Sequence, residues 1–478
     1  MGRCSIAVRK EGPTDWRLLA RELSRAAQLA EEWGERVSPD IGAAADALIE
    51  ADLSALAMTD LKSLVRRAED ACRTARLWSE KVWSPADRFL SMLPNVLSDC
   101  TDSDVKVLGR GIPYPTIERD SSLHQLGELF FAGEEAGKIE VPDWWRAFRG
   151  EVSSLAREYG YAFAGGHERY DLARWRSWIE DAEPLYRMIK ALSHRTNRSS
   201  LVLRHSAAAL EAEQAAARIS ELLHPRQRAT TEQLIWAARN WPAKACECDT
   251  LLSRGLASLR LGALEIGRRL VEEGAVALAD EVFELTVDEL TELPREYHSD
   301  RREESPGISP AGQNDTMAPQ IARAVADARH RRWLNERLTP PRDEPTQPPV
   351  AVCERSQRDE KVCLMGRARG DSLLSGRGNG CGKALGRVRV VRDMTDGGEL
   401  SPGDVLVVDS AESGWWALLA NAGALVSERC FPGDLSGLIS CEYGVPCVSG
   451  CSGATTLMPD GRQVQVDSDT GTVEWGLR

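Results

Sequence analysis

One histidine stands in a setting suited to acid–base work. Gly165-Gly166-His167-Glu168-Arg169 puts an imidazole beside a carboxylate and a guanidinium in a glycine-bearing stretch, and Asp171 follows shortly after. Imidazole changes charge near neutral pH, so His167 with Glu168 or Asp171 can form a general acid–base pair. An exposed interhelical loop explains the same residues without catalysis. Trp144, Trp145, Trp175 and Trp178 can wall a pocket there, or equally fill a helix–helix core. Tyr161, Arg169 and Arg110 complete the pocket candidates. Four cysteines, Cys430, Cys441, Cys447 and Cys451, crowd a short segment, but their spacing follows no standard zinc pattern. Small buried side chains are the expectation for them, with a metal or redox site as the other reading. Cys246 and Cys248, two apart on a helix, point their thiols in different directions and read as structural. No metal site is predicted.

These residues sit on two kinds of framework. From about Thr14 to Leu338, apolar residues recur at three- and four-residue spacing, as in Trp16, Leu19, Leu23, Ala27 and Ala30, or Leu61, Leu64, Ala68 and Ala71. Amphipathic helices follow. Gly109 to Pro115 (GRGIPYP) must be a loop, because its prolines and glycines cannot continue a helix. Phe163 to His167 is a second interruption, and Arg295 to Gly312 a polar connection. Prolines at 340, 341, 345, 348 and 349 then make a semi-rigid spacer. Beyond it, glycine and valine become frequent and apolar runs shorten. Arg387 to Val391, Val405 to Val408, Ala424 to Val426, Cys447-Val448 and Gln463 to Val466 read as strands, with a short helix over Leu435 to Tyr443. The predicted architecture is multidomain: a mostly α-helical region over 1–339, a proline-rich linker over 340–372 and a compact α/β domain over 373–478.

Composition narrows the function classes. The chain has 478 residues, 42% hydrophobic and 28% charged, which excludes disorder throughout. A formal net charge of -13 argues against a dedicated nucleic-acid binder or a polybasic membrane anchor. No apolar run approaches the roughly 20 residues that span a bilayer. Without a secretory signal, the 12 cysteines read as cytosolic thiols, and the expected location is cytoplasmic. Gly382-Lys383 is not a P-loop, since Arg377 stands where the first glycine is needed.

The order of C-terminal landmarks carries a resemblance. These are Gly378 to Val390, Leu400 to Val407, Gly414 to Leu419, Ala422 to Glu428, Glu442-Tyr443-Gly444-Val445-Pro446-Cys447-Val448, Met458 to Gly461, Val464 to Asp467 and Gly471 to Val473. The series resembles the mobile, swivelling phosphohistidine domain of the phosphoenolpyruvate-utilising enzymes. Upstream, Tyr159-Gly160, Tyr170 to Ala173, Trp178 to Asp181, Arg269 to Gly274 and Asp280 to Leu290 resemble the helical linker of that family's antibiotic-phosphotransferase branch. The resemblance covers about Glu151 to Arg478 well and the first 150 residues loosely.

The resemblance implies a relay in which an imidazole takes phosphate from a nucleotide and hands it on. Aligned back from Gly444-Val445-Pro446, the family's histidine falls on Leu435, its glycine pair on Cys430-Phe431 and its arginine on Cys441. Leucine has no lone pair to phosphorylate. Tyr161 stands at the histidine of a second family motif, and none of the 7 histidines follows His330. Asp434 could carry an acyl phosphate, although an aspartate in a Pro-Gly-Asp turn usually serves the turn or caps a helix. No ATP-grasp domain is legible in the chain. Two functions follow: a repurposed tailoring enzyme for a small-molecule substrate, or a non-catalytic partner or scaffold of a separate ATP-grasp protein. The cofactor stays open.

Overall fold

The structure, a computed structural model, describes residues 15–97, 107–161, 176–194, 200–293, 317–338, 373–379, 381–392, 400–410, 413–429 and 436–475. Asp15 starts helix α1 (Trp16–Glu32) by accepting the N–H groups of Arg17 and Leu18. Its buried stripe is Leu19, Leu23, Ala26 and Ala30. Ala26 therefore takes the inward place expected of Ala27, because the three-then-four step keeps the row on one face. A π-turn over Trp33–Val37 leads into α2 (Ser38–Ile49), and α3 (Met58–Val96) follows. Next come α4 (Thr116–Glu135), α5 (Pro142–Tyr159), α6 (Glu183–Ser193) and α7 (Leu201–Leu222). Helix α8 (Pro225–Glu272) spans 48 residues, and α9 (Val287–Glu292) and α10 (Met317–Leu338) complete the helical region.

Helices α3 and α8 pack along one another. They approach closely enough that a Cβ at Gly262 would lie 2.6 Å from Val65 Cγ2. Trp33, Trp78, Trp241 and Cys248 fill one core between α1, α3 and α8. A second core joins Leu48, Val65 and Ile266 to Ile321 and Val325 of α10. The buried Arg260 guanidinium bonds both Glu180 carboxylate oxygens at 2.8 and 3.0 Å, tying α8 to the segment before α6.

The C-terminal part is a mixed sheet in the order β1-β8-β7-β3-β4-β5-β6-β2. Its strands are β1 (Leu373–Ser375), β2 (Arg377–Gly378), β3 (Lys383–Val390), β4 (Val405–Val408), β5 (Ala424–Ser427), β6 (Cys447–Ser449), β7 (Gln463–Asp467) and β8 (Thr472–Trp475). Strands β3 to β6 pair in parallel. Every residue of β4, β5 and β6 is buried, as expected of parallel strands covered on both faces. A 3-10 turn over Ser413–Ala420 and helix α11 (Ser436–Tyr443) lie between them, and α12 (Ala454–Leu457) follows β6. The sequence anticipates strands β3 to β7 and α11. It misses the short edge strands β1 and β2, and β8, a four-residue strand paired between β1 and β7.

One hydrophobic cluster crosses from one region to the other. Ile117, Leu123, Phe148, Leu185 and Ile189 of the helical part pack in the same core as Leu406, Trp416, Leu418, Ile439 and Val445. The C-terminal domain is thus seated on α4 to α6 through apolar side chains that both regions share.

Candidate functional site at the seam

Helix α11 supplies the polar half of this seam. Gly444, at φ 70°, ends it: the Gly444 N–H donates to Cys441 O at 3.0 Å and the Val445 N–H to Ser440 O at 2.8 Å. These two bonds close a left-handed helix cap. The last turn then presents Glu442 and Tyr443 to the helical region.

The Tyr443 hydroxyl donates to Asp120 Oδ2 at 3.0 Å, and Asp120 Oδ1 takes Arg119 Nε at 2.8 Å and Nη2 at 2.7 Å. Asp120 is 1% exposed, Arg119 5% and Tyr443 6%. Burial pushes the Asp120 carboxyl above its ordinary value, against the pull of Arg119 and the Tyr443 hydroxyl. Burial and the neighbouring Asp120 hold the Tyr443 phenol well up, so it remains a donor. Cys246 lies close to the Arg119–Asp120 pair, its thiol pushed up to about 12 by burial.

Beside this triad, Glu442 Oε1 accepts the Gly111 N–H at 2.5 Å, and His205 Nδ1 lies 3.5 Å from Glu442 Oε2. Gly111 must be glycine for two reasons. Its φ is 63°, and a Cβ would lie 2.2 Å from the Ala209 nitrogen of α7. Arg239 fixes the loop by donating to the carbonyls of Leu108, Arg110 and Gly111 at 2.8, 2.8 and 3.1 Å. Two further contacts reach the C-terminal domain: His124 Nε2 lies 3.3 Å from Ala417 O, and Asn421 Nδ2 donates to Ala191 O at 2.6 Å.

The arrangement can do two things. The Arg119–Asp120–Tyr443 triad is closed to water and serves to hold. His205, its side chain 14% exposed beside a Glu442 side chain 2% exposed, is an acid–base couple at the rim. Among the described residues, Tyr114 Oη, Arg204 Nε and His205 Nδ1 are buried polar atoms without a hydrogen-bond partner. Each therefore has hydrogen-bonding capacity left for a water or a bound molecule.

The sequence-predicted site residues fall in different places. His167, Glu168, Arg169, Asp171 and Trp175 lie outside the described residues, as do Asp434, Leu435 and Cys430. Tyr161 and Trp178 come near one another, since the Ile179 N–H donates to Gly160 O at 3.2 Å. Their side chains diverge: Tyr161 packs against the α1/α3/α8 core beneath Arg254, whereas Trp178 is buried in the core shared with the C-terminal domain. Arg110 is exposed and pairs with Glu211 at 3.5 Å, while Gly111 and Tyr114 of the same loop face α11. Trp144 stacks on Phe148 at 5.2 Å within an aromatic cluster that includes Trp145 and Tyr186.

One expectation for the cysteines is corrected. Cys441 is not a buried thiol but forms a disulfide with Cys381; the turn before β3 brings together two residues 60 apart in sequence, which spacing arguments cannot see. Cys447 and Cys451 are buried, as expected of small core side chains. Cys246 and Cys248 enter different cores. Among the described residues no group of three or more His, Cys, Asp or Glu side chains is placed to hold a metal, and no helix is long and apolar enough to cross a membrane. His205, Arg119 and Asp120 escaped sequence reasoning, and Gly111 registered only as part of the Gly109 to Pro115 loop. Glu442 and Tyr443 registered only as landmarks.

Residues 400–471 match the family described as PEP-utilising enzyme, mobile domain. An uncharacterised protein of Mycobacterium tuberculosis is 30% identical over 241 residues, covering 50% of this chain and 24% of that protein. The chondramide synthase of Chondromyces crocatus is 25% identical over 492 residues, covering 93% of this chain and 12% of the synthase. The phosphoenolpyruvate synthase of Escherichia coli is 34% identical over 128 residues, 26% of this chain and 16% of the enzyme. The chain thus spans about a quarter or less of the length of each of these relatives. The C-terminal part is a homologue of the family's mobile domain.

Proposed function

We propose that this chain is a phosphohistidine-free relative of the phosphoenolpyruvate-utilising enzymes that binds a small molecule where its helical region meets its mobile-domain homologue, and carries out a tailoring step there. The carrying observation is compositional: residues 400–471 contain no histidine, and Leu435 stands where the resemblance puts the phosphate carrier. A domain without imidazole cannot pass phosphate by a histidine relay. In this reading the C-terminal domain serves as the fixed second wall of a site. Its chemistry comes from the helical side, from His167 with Glu168 or Asp171, with Arg169 and Trp175 beside them; Tyr161, Trp178 and Arg110, which face other surroundings, are left out of it. His205 with Glu442 joins them as a candidate couple.

The test is incubation of the full chain with isotopically labelled ATP, and separately with labelled phosphoenolpyruvate, followed by intact-mass and phosphopeptide analysis. No stoichiometric phosphate is expected on the protein. A phosphohistidine, or an acyl phosphate at Asp434, would overturn the reading.

A second reading has an observation of its own. The similarity to chondramide synthase runs across 93% of this chain but 12% of that protein, so nearly all of the chain has a counterpart within a much larger protein. In that reading the chain is a non-catalytic partner for separate enzyme modules, an ATP-grasp protein among them. Stoichiometric co-elution with a purified ATP-grasp protein, without activity of the chain alone, would favour it.

A further inference from the structure

Cys381 and Cys441 join the turn before β3 to helix α11. Both are half-buried, in contrast to the fully enclosed Cys447 and Cys451. The first pair thus lies nearer the surface than the second. Cys441 also immediately precedes Glu442 and Tyr443, the residues through which α11 grips the helical region. What happens at this bond is felt at the seam.

The turn is tied to α11 by a second, non-covalent device. Asn379 Nδ2 donates to Gly437 O at 3.3 Å, Ser440 Oγ at 2.9 Å and Val445 O at 3.1 Å. Its Oδ1 accepts the N–H groups of Cys381 and Cys447, each at 3.1 Å. Asn379 thus ties the turn to α11 at Gly437 and Ser440 and to Val445 just beyond it, while the disulfide ties it at Cys441, next to Glu442 and Tyr443.

We propose that the Cys381–Cys441 bond is a redox-responsive clamp that, when closed, holds Glu442 and Tyr443 in register with Gly111, His205 and Asp120 and so keeps the C-terminal domain seated. The opening agent is a dithiol. One thiolate of the dithiol attacks a sulfur of the pair and releases the other cysteine as a thiol. The second thiol of the reagent then displaces the first cysteine. Two cysteine thiols and one cyclic reagent disulfide result, with two electrons and two protons passing to the protein. Closing is the reverse, with a low-molecular-weight disulfide such as oxidised glutathione as the two-electron acceptor. The inference does not depend on how the chain treats phosphate.

The experiment takes the full chain equilibrated with oxidised glutathione and compares it with the same protein treated with dithiothreitol. Differential alkylation with peptide mapping reports the thiols, and amide hydrogen exchange reports residues 111–124 and 436–446. Cys381 and Cys441 should be blocked before reduction and labelled after it. Exchange in both segments should rise at least about tenfold, the reach of one lost tether, while far-ultraviolet circular dichroism stays unchanged. Cys441→Ser should exchange like the reduced protein and ignore dithiothreitol. The proposal fails if both thiols label in the oxidised protein. It fails equally if the bond opens and seam exchange stays within twofold. Should Cys441→Ser not fold, the wild-type comparison decides alone.

Discussion

Replacing Tyr443 with Phe isolates one bond at the seam. The ring and its place in the shared core are kept; what goes is the hydroxyl donating to Asp120 Oδ2 at 3.0 Å. Asp120 is 1% exposed, so water cannot replace the lost donor. A hydrogen bond to a charged buried group is worth about 1.5–3 kcal/mol. That corresponds to an opening equilibrium larger by about tenfold to about a hundredfold. Hydrogen exchange over residues 436–446 and 116–126 reads this opening directly, and avoids assuming that so large a chain unfolds in one step. Asp120→Asn should cost more, about 3–5 kcal/mol, because it removes the negative charge that faces the buried Arg119 at 2.7 Å. In the double variant the two losses should not add, since both act on the same Tyr443–Asp120 contact. Exchange unchanged within twofold in Tyr443→Phe, or additive losses in the double variant, would refute the claim that this triad fastens the domain.

Two further outcomes follow from neighbouring features. Gly111→Ala forces a Cβ to within 2.2 Å of the Ala209 nitrogen at a positive φ, and should lower stability by about 2 kcal/mol or more; a melting temperature within a degree of wild type would contradict the close approach of loop and α7. At Asp467, burial pushes the carboxyl up, but the Lys383 ammonium at 2.7 Å and the N–H groups of Thr470 and Asp469 outweigh it and hold the group below its ordinary 3.8. A depressed carboxyl stabilises the fold above about pH 4 and loses that contribution as pH falls through its lowered value. Asp467→Asn should therefore be less stable than wild type by about 1 kcal/mol at pH 7, with the gap closing toward pH 3. Parallel melting curves across that range would show that Asp467 does not titrate as described.

What the sequence makes legible is local. The run Val405 to Val408 is apolar at every position and becomes the central strand β4, and Leu435 to Tyr443 comes within one residue of α11. The edge strands β1 and β2, three and two residues long, are too short for any periodicity to register. The seam is invisible for a different reason. Gly111 meets Glu442 across 331 residues and Asp120 meets Tyr443 across 323, and neither pair leaves a trace in the spacing of its neighbours. Gly111 does carry a signal, a glycine between two amphipathic helices in a proline-containing loop. That signal announces a turn, not the carboxylate it receives. The Cys381–Cys441 pairing belongs to the same class, decided by the route of the chain between the two residues.

Helix α8 has one more consequence. Near its middle, Cys246 faces the core shared with the C-terminal domain and Cys248 the core of α1 and α3, while Leu259 and Ile266 further along enter the core that holds α10. From Trp241 to Glu272 this rod runs for about 46 Å at 1.5 Å per residue. Pivoting it by a single degree at the seam would carry its far tip sideways by roughly 0.8 Å, more than close-packed side chains absorb without repacking. News of whether the C-terminal domain is home would thus travel by leverage to the core that holds α10.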